Sequence, residues 1–142
     1  MISRRALILG SLMTCVPISA TAEILHPARG TKLRKDLLDA LRPIVEYQMG
    51  GPVEFVVERM NVSRDTAFLV VNPQRPGGKA ISLNETLFHA DANLMDGLTV
   101  FALAIRRRDR WSVIEHVTGP TDVAYAGWQE FYNLPDALIW SQ

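Results

Sequence analysis

The residues of this chain with chemistry to offer are three histidines, a scatter of carboxylates and one dense run of arginine. Metal sites gather imidazoles from helical or alternate-strand spacing, and no two of His26, His89 and His116 have that spacing. Folding could assemble only the set His89, Asp91 and His116; an exposed loop histidine and a sheet-surface histidine are the plainer account, so no metal is expected. Glu54 and Glu58 share a face of an expected strand, but catalytic carboxylate pairs need environments that push their pKa values apart. A solvated strand face does not supply them. Asp96, His116 and Asp122 are the acid–base groups that a pocket in a cone-shaped fold would gather for hydrolysis or isomerisation. No serine sits in a glycine-flanked elbow. Pro76-Gly77-Gly78-Lys79 lacks the spacing of a phosphate-binding loop and reads as a turn.

Arg106-Arg107-Arg108-Asp109-Arg110 is the one concentrated charge feature. The guanidinium groups of Arg106, Arg107, Arg108 and Arg110 could hold a carboxylate, a phosphate or an anionic surface through paired N–H donors. A solvated hairpin tip is the blander reading. Trp140 joins them as a candidate contact residue, because large exposed aromatics mark interfaces. Trp128 and Phe131 are assigned instead to the core or to covering a sheet edge.

These side chains must be positioned by a modest set of elements. From Thr31, a reasonable N-cap, Leu33, Leu37, Leu41, Ile44 and Val45 fall on one helical stripe. Pro43 predicts a kink or a restart within that helix, and Gly50-Gly51-Pro52 ends it. Val53–Val62 and Thr66–Val71 read as a hairpin of two strands, with Val53, Phe55 and Val57 on one face. A weaker strand is expected over Lys79–Leu83, after the turn cluster Asn72–Gly78. Asn84–Gly97 reads as a long loop with at most one short helical turn. Leu98–Arg106 and Trp111–Thr118 form a second hairpin, in which Trp111, Val113 and Val117 alternate with Ser112, Ile114 and His116. That alternation predicts a sheet with one wet face. Asp122–Gln142 holds an amphipathic piece whose Val123, Trp128, Phe131 and Tyr132 would cover a sheet edge.

Residues 1–22 give an address and no chemistry. Ser3-Arg4-Arg5 is basic, Ala6–Val16 is apolar, and Ala20-Thr21-Ala22 presents small residues for cleavage, the anatomy of a secretory signal. Eleven apolar residues are too few for a helix that spans a bilayer, which takes roughly 20, so no stable membrane span is expected. Cleavage after Ala22 would leave one domain over residues 23–142. The chain carries 15 basic and 15 acidic residues, and losing Arg4 and Arg5 tips it to a slight acidic excess. Such a balance gives no reason to seek nucleic acid. Cys15, the only cysteine, would leave with the signal, so neither a disulfide nor a thiolate metal site is expected.

Some of these stretches resemble known patterns. Ser3-Arg4-Arg5-Ala6-Leu7 is similar to a twin-arginine export signal, a plain basic start being the simpler reading. Leu12-Met13-Thr14-Cys15 resembles a lipoprotein box except that Thr14 stands where a smaller residue belongs. Arg108-Asp109-Arg110-Trp111 and Gly119-Pro120-Thr121-Asp122-Val123 look like an uncharacterised family of secreted proteobacterial proteins, a resemblance that covers most of Arg29–Leu138 and implies no site residue. One helix followed by antiparallel strands is similar to cystatin-like folds, and less so to the nuclear-transport-factor-like group.

The reading is an α+β domain, an N-terminal helix packed on a curved antiparallel sheet of four to five strands. It favours a periplasmic or secreted, non-enzymatic binding or accessory module without a cofactor. The partner would be an envelope protein, a peptide or a small ligand. The loop Gln74–Gly97 and the arginine tip would form the rim of its groove. A small acid–base enzyme and a structural role in envelope assembly are the alternatives.

Overall fold

The computed structural model describes residues 21–120 and 122–142. The expected export segment lies outside the described residues except for Thr21 and Ala22. Thr121 of the Gly119–Val123 motif lies outside them too.

The first long element is helix α1, Lys32–Met49. Thr31 caps it, its hydroxyl accepting the backbone N–H of Arg34. Leu37, Leu41, Val45 and Met49 recur every fourth residue and are fully buried, each contributing about 1.5–3 kcal/mol on leaving water. The helix runs through Pro43 without a break, so the expected restart does not occur. Pro43 is exposed, which keeps its ring out of the packed face. Its missing N–H leaves the Asp39 carbonyl without the usual helical donor. At the far end Gly50 adopts φ 70°, and a Cβ there would lie 2.3 Å from the carbonyl oxygen of Glu85. Only glycine fits both demands. Arg75, reaching back from the sheet, donates to the Met49 carbonyl at 2.6 Å and takes the place of a basic residue in the last turn.

Four antiparallel strands follow: β1 (Glu54–Ser63), β2 (Thr66–Gln74), β3 (Val100–Arg107) and β4 (Arg110–Thr118). They lie side by side in chain order as an open, curved sheet, so β1 and β4 are the edges. Both expected hairpins form. No strand occupies Lys79–Leu83: Lys79 makes one isolated bridge to Arg75, and a 3₁₀ turn covers Leu83–Glu85. The expected loop beyond it carries a second 3₁₀ stretch, His89–Leu94.

Two bulges decide what faces where. In β1, Val57 pairs with Val71 and Arg59 with Val70, leaving Glu58 extra. Val53, Phe55 and Val57 therefore face α1 before the bulge, whereas Met60 and Val62 do so after it. In β4, Ile114 is the extra residue between Val113 and Glu115. Trp111 and Val113 pack on the α1 side. Beyond the bulge Thr118 bonds Gln48 of α1, so His116 shares that side, and Val117 is on the other. The simple alternation expected for β4 fails because a bulge inserts one residue and inverts the period-2 pattern.

Both faces of the sheet carry a core. One side meets α1. On the other, Phe68, Val70 and Leu103 are buried under Leu134, Leu138 and Ile139. The C-terminal segment, with helices α2 (Ala126–Phe131) and α3 (Asp136–Trp140), thus covers a face and not an edge. Tyr125 anchors it, stacked on Phe101 at 4.5 Å and tilted against Phe68 at 5.3 Å. Phe131, expected to be covered, is 80% exposed. The fold is α+β with two cores on either side of one sheet. Among the described residues no helix is long and apolar enough to cross a membrane.

Candidate binding groove

Helix α1 approaches the sheet most closely at β4, and its N-terminal half leaves an open groove of about 690 Å³ beside β1. Leu38, Phe55, Val56 and Val57 give it an apolar floor, and Arg29, Lys32, Arg34, Lys35 and Arg42 line it with cations against the single carboxylate of Asp39. The cations stand on this side because the apolar stripe of α1 turns the opposite face, rich in Lys and Arg, outward.

Two arginines hold the walls. Arg42 donates to the Val53 carbonyl at 2.6 Å and lies 5.1 Å from the centre of the Phe55 ring. Arg34 donates to the Pro27 carbonyl at 3.1 Å, tying the lead-in segment to the helix. Lys32 pairs with Asp36 and Lys35 with Asp39, one helical turn apart. The hydrogen bond to Asp39 raises Lys35 above the ordinary lysine value, and the reciprocal bond lowers Asp39 below the ordinary carboxylate value. Both pairs are exposed, so they add little stability, but they hold lysines at the rim.

The groove follows an unpaired strand edge. Backbone groups of a strand alternate between its two sides, so parity tells which ones look outward. Leu25 and Val62 exchange two backbone bonds of 2.8 and 2.9 Å, which puts the outward groups of Val62 to use. Phe55 lies opposite Pro73. Proline has no N–H to exchange, so Phe55 and Pro73 are not a hydrogen-bonded pair, and the N–H and C=O of Phe55 point away from β2. The bulge at Glu58 reconciles the two ends, leaving Phe55, Val57 and Met60 with outward-facing groups. At the near end the N–H of Val53 meets Glu46 and its carbonyl meets Arg42.

A second, smaller hollow of about 410 Å³ continues along the same strand, lined by His26, Pro27, Arg34, Arg59, Asn61 and Gln142 among others. There Asn61, fully buried, donates to the carbonyls of Leu138 and Ser141, both at 2.9 Å. Arg59 donates to the carbonyl of Ile139 at 2.7 Å.

The residues singled out in the sequence are elsewhere. Arg106, Arg107, Arg108 and Arg110 are exposed at the β3–β4 turn, next to the β1–β2 turn, where the Arg106 N–H donates to the Asp65 carbonyl. That is the opposite end of the sheet from Phe55. Arg106 also forms an ion pair with Asp65 at 2.9 Å and lies over Trp111. Trp140 is half exposed, its indole N–H donating to Gln129 at 2.9 Å. Neither these residues nor the Gln74–Gly97 loop lines either groove. Asp96, His116 and Asp122 are all exposed, and they too lie outside both grooves. Among the described residues no group of three His, Cys, Asp or Glu side chains is placed to hold a metal ion.

Sequence reasoning passed over the groove because its cations look like the ordinary solvated face of an amphipathic helix. Pro73 was the available signal: a proline near the end of β2 implies that the residue opposite it turns its backbone outward. Comparison with known protein families, with curated proteins and with solved structures finds no match to this chain.

Proposed function

We propose that this chain is a non-enzymatic binding or accessory module whose working surface is the groove between α1 and the edge of β1, and that it holds a stretch of a partner protein or peptide. The observation that carries the reading is the unpaired edge at Phe55 and Val57 lying beneath a row of cations. An open edge is a hazard that proteins cover or blunt, and here a groove with an apolar floor is built over it. Residues 3–22 support a site of action in the periplasm or beyond, with an envelope protein as the partner class. A hydrolase or isomerase working through Asp96, His116 and Asp122 has less in its favour, since all three face solvent.

The test is selection of ligands for the full chain from a random displayed-peptide library, followed by amide NMR mapping of the selected peptides. The reading expects shifts concentrated on Leu38, Arg42 and Phe55–Met60. Shifts confined to the arginine tip or to the C-terminal segment would sink it, as would a library that yields no ligand.

A further inference from the structure

The groove has the features of a site for strand addition, and they also specify the strand. We infer that the ligand is an acidic extended segment of another protein, added to the sheet as a fifth strand along Phe55–Met60. This inference rests on the binding reading above and names its chemistry.

The open stretch is bounded at both ends. Val53 is satisfied by the side chains of Arg42 and Glu46, and Val62 by Leu25 of the chain's own lead-in. The lead-in runs antiparallel to β1, so its next outward pairing would set Pro27 opposite Met60. Pro27 has no N–H to give, and its carbonyl is held by Arg34. The lead-in therefore leaves β1 there, and the outward groups of Phe55 and Val57 have no backbone partner outside the sheet among the described residues. At about 3.3 Å per residue, an arriving strand of five or six residues fills this interval. Main-chain bonds would supply affinity and alternate side chains specificity.

Charge selects the occupant. Alternate side chains of an added strand fall on the α1 side, beneath Lys32, Lys35 and Arg34, and the intervening ones on the side of exposed Glu54 and Glu58. Acidic residues are favoured at every second position and disfavoured between them. A second copy of the chain would bring the same cations against one another. Residues 1–20 contain Arg4 and Arg5 and no carboxylate, so they do not complement the groove either. An acidic segment from a different protein is the complementary guest.

The test uses an acetylated, amidated eight-residue peptide with Glu at alternate positions and Thr or Val between. A Lys-for-Glu version and a version N-methylated at alternate amides serve as controls. Binding to the full chain is followed by fluorescence anisotropy at low and high salt and by amide exchange. The acidic peptide is expected to bind, to slow exchange of the Phe55 and Val57 amides, and to weaken about tenfold as salt screens the cations. N-methylation is expected to cost about tenfold or more, because it removes the bonding amides while keeping the charge. On the protein side, Val57→Pro removes an outward N–H and keeps the β2 ladder, and should weaken binding similarly. If that variant fails to fold, the N-methylated peptide still decides. Equal binding by the N-methylated peptide would overturn strand addition and leave the groove reading standing. Binding of the Lys peptide at the same amides would overturn the acidic assignment alone. Failure of all three peptides, or protection at Phe55 and Val57 produced by self-association, would overturn the inference, while library ligands mapped to the groove would still uphold the broader reading.

Discussion

Asn61 is a fully buried polar side chain that the sequence places on an ordinary strand. Its amide holds two carbonyls of the C-terminal segment at once. Asn61→Ala leaves both without their donor, and a loss of about 2–3 kcal/mol is expected in urea denaturation. A loss under 0.5 kcal/mol would show that the tail is held by apolar packing alone. Tyr132 supplies a pH-dependent tie on the same side of the sheet, its hydroxyl donating to Glu115 at 2.7 Å. That hydrogen bond, then burial, then the Glu115 charge raise the phenol above its ordinary value of about 10. The folded protein thus keeps a proton that the unfolded chain releases in the window just above pH 10. Stability from this group is complete below that pH and is lost as pH rises through the folded value. Absorbance titration should show a tyrosine ionising above the ordinary phenol range, and Tyr132→Phe should remove that late step and flatten the alkaline loss of stability. Neither contact was legible beforehand, since each joins residues that only the tertiary fold brings together.

At the scale of elements, the helix and both hairpins were readable because their signals are local: a four-residue apolar stripe, a capping threonine, turn residues between β-formers. The faces of β1 and β4 were not, because a bulge leaves no mark in composition and inverts every side chain beyond it. Deleting Glu58 tests the point directly. The deletion removes the extra residue and sets Phe55, Val57, Met60 and Val62 at strictly alternate positions, all still facing α1. Cooperative unfolding is expected to survive it, read by thermal melting. Loss of a cooperative melt would show that Glu58 is not simply an extra residue in the register. Pro43 misled in the other direction. Its propensity argues against an unbroken helix, yet burial of Leu41 and Val45 on either side outweighs that cost. Pro43→Ala should restore a donor to the Asp39 carbonyl and stabilise the protein by about 1–3 kcal/mol, less whatever the unfolded chain gains in freedom. An unchanged or lower midpoint would contradict this account.

For the whole molecule, the consequence of two covered faces is that the sheet is a middle layer. A wet face was expected because the alternation in β4 looked amphipathic. The aromatic residues near the C-terminus carried the contrary signal, since Tyr125, Trp128 and Tyr132 pack against the second core. Truncation before Leu134 should expose Phe68, Val70 and Leu103, and a rise in binding of a hydrophobic dye together with aggregation is the expected result. A soluble, dye-silent truncated chain would show that the second core is dispensable. The candidate groove was the least legible part, for it depends on how far α1 stands from β1 and on which edge of the sheet stays open.

Both ends of the described chain are fastened to neighbouring residues of one strand: Leu25 to Val62, and the tail to Asn61 and Arg59. In mechanical terms, a pull applied between the lead-in and the tail is carried across the β1 edge before it reaches the packing of α1. The two bonds between Leu25 and Val62 are loaded first and give way as a small latch. The force at which the molecule yields is then set there and at Asn61, and the main core would remain intact through the first extension.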